Sequence, residues 1–70
     1  MPVTMIEAGK TVTIVRITGT DEVRVHLSEL GFVVGESITV ISNAKGNLIL
    51  QVKDGRIAVD ESMARRIMVG

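Results

Sequence analysis

The apolar positions of this chain change period several times, and each change marks an element. From Thr11 to Thr18 the residues are mostly Thr, Val and Ile, which predicts a strand. Val12 and Ile14 share one face, while Ile17 falls out of phase with them. A bulge or strong bend near Val15 and Arg16 restores the phase. After Gly19 the period lengthens. Thr20 can cap a helix, Asp21 and Glu22 suit its positive end, and the helix is expected to run to about Leu30. Val23, Leu27 and Leu30 form its narrow apolar stripe. Glu22, His26 and Glu29 flank that stripe, and Val25 lies on the opposite face.

The stretch Leu27-Ser28-Glu29-Leu30-Gly31-Phe32-Val33-Val34-Gly35 reads as a last helical turn, a glycine stop and a turn into a strand. Gly31 stands where helices end on a left-handed residue, and Phe32 where the chain folds back onto the final turn. Gly35 can supply positive φ for the turn that follows. Alternation then resumes. Ser37–Ser42 and Asn47–Lys53 are expected strands, joined by a turn over Asn43-Ala44-Lys45-Gly46. Leu48, Leu50 and Val52 point one way. Asp54-Gly55 predicts a tight primed turn into a fourth strand, Arg56–Val59. Asp60 can cap a short helix over Glu61–Arg66, with Met63, Ala64 and Ile67 packing inward, and Ile67–Val69 can pair as a last strand. Pro2–Ala8 is a lead-in with one loose turn over Met5, Ile6 and Ala8.

The expected fold is therefore mainly β: about five short strands in a small, curled, mostly antiparallel barrel. It carries one inserted α-helix and a short C-terminal helix. Residues 1–70 make one small domain with a thin core. Hydrophobic residues make up 46% of the chain and the mean hydropathy is +0.39, which implies a dense aliphatic core or a surface that expects a partner.

Charge and composition narrow the function. Eight basic residues balance eight acidic ones, so phosphate backbones exert no long-range pull. Phe32 is the only aromatic residue, and base-stacking platforms need several. Nucleic acid is thus an unexpected partner. Cysteine is absent, which removes disulfides, thiolate ligands and thiol nucleophiles. Met1-Pro2-Val3-Thr4-Met5 has no signal-peptide character. No apolar run nears the roughly 20 residues of a membrane helix. A cytoplasmic protein with no membrane insertion is expected.

Candidate chemistry is sparse. His26, with Glu22 four residues before and Glu29 three after, sets carboxylate and imidazole ligands on one helix flank, a weak pattern for a divalent metal. A solvated His in an acidic helix gives the same pattern, and no metal or cofactor is expected. Ser28, Ser37, Ser42 and Ser62 sit in no nucleophile motif, and no second His can act as base. Gly31 and Gly35 lack the spacing of a phosphate loop. The chain does not read as an enzyme. Val25 with His26, and the basic pair Arg65-Arg66, are the candidates for partner contact. A solvated helix end accounts equally for the arginines.

The order strand, helix, Leu27-x-x-Leu30-Gly31-Phe32-x-x-Gly35, Ile38-x-Val40, Gly46-Asn47-Leu48 closely resembles the FeoA family, the ferrous iron transport protein A. The tail Ile57-Ala58-Val59-Asp60-Glu61-x-x-Ala64-x-x-Ile67-x-Val69 is similar to that family's closing signature. The resemblance spans about Met5 to Val69. It implies an SH3-like barrel with an inserted helix. It also implies a cytoplasmic accessory of FeoB, a membrane ferrous-iron permease with a cytosolic GTP-binding domain, acting through protein contact rather than metal carriage. The same module occurs at the C-terminus of DtxR-like, metal-dependent repressors, so a metal-responsive module is the alternative. Proline-rich peptides are not expected ligands, because Phe32 alone cannot line an aromatic groove. Self-association is left open.

Overall fold

The computed structural model describes residues 1–70. Five strands form one antiparallel, strongly bent sheet: β1 (Thr11–Ile17), β2 (Ser37–Ala44), β3 (Asn47–Val52), β4 (Gly55–Val59) and β5 (Ile67–Val69). Their order in space is β4-β3-β2-β1-β5. Helix α1 (Asp21–Glu29) is inserted between β1 and β2, and the short α2 (Glu61–Ala64) leads into β5. The mainly β architecture with two helices is the expected one.

Two irregularities bend the sheet. On β1 the register slips between Ile14 and Arg16, where the sequence called for a bulge. On β2 it slips again between Val40 and Ser42. Each bulge adds local twist and lets one strand serve two directions. Thus β1 pairs with β2 through Thr11–Thr13 and with β5 through Ile14–Ile17.

The alternating residues of the sheet make most of the core. Ile14, Ile38, Val40, Leu48, Leu50, Val52 and Val59 are buried, together with Ile67 and Val69 of β5. Leu27 and Phe32 close it from the α1 side and Ala64 from α2. No polar or charged residue is buried. Val3, within the lead-in, is fully buried too. It belongs to a single 3₁₀ turn, Val3–Met5, which starts two residues before the expected one. Asn43 fixes this segment: its amide nitrogen donates to the carbonyls of Thr4 (3.1 Å) and Ile6 (2.9 Å), and its oxygen accepts from Gly46 N–H.

Three expectations change. The β3–β4 turn lies one residue earlier than expected, at Lys53-Asp54 with Lys53 at φ 53°, and Lys45-Gly46, at φ 57° and 89°, make the primed turn of the β2–β3 hairpin. Gly55 instead pairs with Val52. A loop at Asp54-Gly55 would set Lys53 opposite Arg56, two like charges on one rung. The observed register places Arg56 opposite Gln51, to which it donates a 3.4 Å hydrogen bond, and leaves Lys53 3.8 Å from Glu36. The second helix stops at Ala64, so Arg65 is its cap and Arg66 lies beyond it. Leu30, expected in the core stripe, is only half-buried, because it sits at the C-cap of α1.

Candidate docking groove

Helix α1 begins where the sequence places it. Thr20 Oγ1 accepts from Val23 N–H at 3.3 Å, and Asp21 and Glu22 occupy the first turn. It ends on Gly31, at φ 103°. Gly31 N–H donates to the Ser28 carbonyl and Phe32 N–H to the Leu27 carbonyl, both at 3.0 Å. These paired bonds are a Schellman stop, and Leu27 and Phe32, its two apolar partners, are both fully buried. Val33-Val34-Gly35 then turns back: Glu36 N–H reaches the Val33 carbonyl, and Gly35 N–H the Ile14 carbonyl of β1.

The stop therefore docks α1 and its following turn against β1 and leaves a shallow trough beside them. This groove measures about 600 Å³ and is the largest concavity of the molecule. Ile17, Phe32 and Val33 form its apolar floor. Val25 and Val34 stand at its edges, 58% and 63% exposed. Arg16, Arg24, Asp21 and Ser28 complete the rim. Arg24 approaches Asp21 at 3.7 Å, and Arg16 makes no ion pair.

A second hollow, about 490 Å³, lies on the other side of Val25. Asp21, Glu22, His26 and Glu29 line it. The structure thus brings the sequence-predicted Glu22, His26 and Glu29 to one surface. It does not bring three His, Asp or Glu side chains close enough together to hold a metal ion. Arg65 and Arg66 lie elsewhere and line neither hollow. The Arg66 carbonyl accepts from Thr18 N–H, and its side chain passes Gly19 at the entry to α1. The Asp60 carboxyl is held below the usual range by the Met63 N–H and then the Ser62 hydroxyl. It caps α2 and is no part of the groove.

Val25 was legible from the sequence, but Arg16, Val33 and Val34 were not. One signal pointed to the valines: two adjacent β-branched residues between Gly31 and Gly35, with no strand to bury them.

A family model, the FeoA domain, matches residues 1–70. The chain belongs to the FeoA family. Among solved structures, a crystal structure of an iron uptake regulatory protein, FeoA, aligns with TM-score 0.89 and 28% identity, covering 100% of this chain and 93% of that one. The zinc-complexed FeoA of Stenotrophomonas maltophilia, described as an SH3-domain protein, aligns with TM-score 0.85 and 26% identity over 100% of this chain and 89% of that one. A manganese-dependent transcriptional repressor shares the fold at TM-score 0.90 but only 15% identity, covering 99% of this chain and 40% of the repressor. No curated protein sequence matches the chain. The SH3-like FeoA fold agrees with the expectation from sequence. No helix is long and apolar enough to cross a membrane.

Proposed function

We propose that this protein is a cytoplasmic accessory of ferrous iron uptake. It works by contact with the cytosolic side of a FeoB-like membrane permease that has a GTP-binding domain. FeoA membership supports the iron-uptake role. One observation carries contact as its mode of action: the groove beside α1 keeps Val25 and Val34 exposed in a chain with no catalytic constellation. Exposed apolar side chains gathered at one concavity are what a docking surface requires. Val25 at the groove edge and His26 in the neighbouring hollow are the proposed contact residues on α1, with Arg65 and Arg66 as a more distant second contact. The iron itself is cargo of the permease and needs no ligand here. A balanced net charge supports a protein partner over nucleic acid.

The test is an NMR titration of labelled protein with the permease in nanodiscs. The amides of Val25, Ser28 and Val34 are expected to shift. Resonances that stay in place throughout, with intact permease and with its isolated cytosolic domains, would refute docking.

A second reading is a metal-responsive module of the DtxR-like type, with Glu22, His26 and Glu29 as ligands. The three residues line one hollow without gathering into a group that could hold a metal ion, so what supports this reading is the zinc complex of the Stenotrophomonas protein, which shows metal on a relative. Anaerobic titration with Fe²⁺ or Mn²⁺, watching the His26 ring signals, decides it; unchanged signals at millimolar metal exclude a useful site.

A further inference from the structure

Val25 is a ridge between two hollows of different charge. Arg24 and Ser28 recur at helical spacing on its groove side, Glu22, His26 and Glu29 on its other side, and Asp21 borders both. Across the groove Arg16 projects from the bulged part of β1, so the trough has two guanidinium groups to one carboxylate. Neither guanidinium is fully engaged. Arg16 has no acidic partner, and the Arg24–Asp21 contact is long and joins two exposed side chains. Glu36, the other nearby acid, is turned toward Lys53.

From this arrangement we infer that the segment docking in the groove carries a carboxylate beside an apolar anchor, and that the acidic hollow beyond Val25 fixes its direction. The inference rests on the docking reading above and names the chemistry of the partner at that site. An apolar side chain seated over Ile17, Phe32 and Val33 displaces water from the trough. The field between a neighbouring carboxylate and Arg16 then strengthens, because less solvent screens it. Guanidinium groups suit this task, since each offers paired N–H donors to a carboxylate. The reversed orientation brings the same carboxylate to Glu22 and Glu29, where like charges repel it. Attraction on one side of Val25 and repulsion on the other select a single orientation.

The test uses the full chain and two peptides of equal length, Ac-Ala-Leu-Glu-Glu-Ala-NH₂ and its Gln-Gln counterpart. Binding is read from the amide shifts of Val25, Ser28 and Val34. The acidic peptide is expected to bind about fivefold tighter at low salt, with the preference shrinking at ~0.15 M salt. Arg16→Glu is expected to abolish the preference, Arg16→Lys to keep most of it, and Glu7→Gln, an exposed acid outside both hollows, to leave it intact. Equal affinities, a preference that survives Arg16→Glu, or groove amides that move with neither peptide would overturn the inference. The permease distinguishes this inference from the reading beneath it. If the acidic peptide is preferred but intact permease leaves the groove unmoved, the permease reading fails and the groove chemistry stands. If the permease binds in the groove with equal affinity for wild type and Arg16→Glu, the chemistry fails and the docking stands.

Discussion

The two flanks of α1 carry the same kinds of residue and use them differently. On the inner flank Leu27 and Phe32 are fully buried, joined through a Schellman stop to the core of the sheet. On the outer flank Val25 and Val34 are more than half exposed and rim a groove. Folding alone accounts for the first pair. It gives no reason for the second, since polar residues there would leave the core untouched. Apolar character in one short segment thus serves two purposes, and only exposure separates them.

Substitutions can break this comparison, and the largest effect belongs to the inner flank. Leu27→Ala is expected to cost about 2–5 kcal/mol in a denaturant titration, through lost burial and the cavity left behind. Total stability in so small a domain is of similar size, so much of the population unfolds. A loss below about 0.5 kcal/mol would erase the distinction between the flanks. Gly31→Ala comes next. A side chain at φ 103° is strained, while the new Cβ would meet Val52 only in ordinary contact at 3.5 Å, so a loss of about 1–3 kcal/mol is expected from the backbone alone.

The outer flank sharpens the contrast. Val25→Ser and Val34→Ser are expected to change stability by less than about 0.5 kcal/mol while weakening capture by the permease. Binding unchanged in both variants would move the docking surface away from α1.

The smallest effect lies outside both flanks, at the α2 cap. Hydrogen bonds from Met63 N–H and Ser62 lower the Asp60 pKa in the folded state. Its stabilisation is complete above the ordinary aspartate range and fades as pH falls through the lowered folded value. Asp60→Asn keeps an acceptor for Met63 N–H and is expected to flatten this part of the acid limb, leaving neutral-pH stability and docking nearly unchanged.

The fold was readable wherever a local rule acts alone. Period, caps and glycine stops located all five strands, both helices and the β1 bulge. The β3–β4 turn was misplaced because Asp-Gly is a strong local signal, while the register was set by a cross-strand pairing that only the sheet shows. The burial of Val3 is not legible for a related reason: its lead-in has no periodicity and is held by distant partners, Asn43 of β2 and Met68 and Val69 of β5. The site was half legible. Val25 stood out on its helix wheel, but Arg16 comes to the groove from another element. Leu30 and Val23 pack against the core as the stripe implies but stay half-buried, and only Leu27 between them is fully enclosed.

The bulge on β1 has a consequence in time. The helix stop links Leu27 and Phe32, close neighbours in sequence, and can form as soon as that segment does. Arg16 instead stands opposite Met68, so its wall of the groove waits for strands from opposite ends of the chain to meet. Such pairings carry the larger loop-closure entropy and form slowly. The β1–β5 pairing is therefore expected to be a late step in refolding, and partner capture to report its completion.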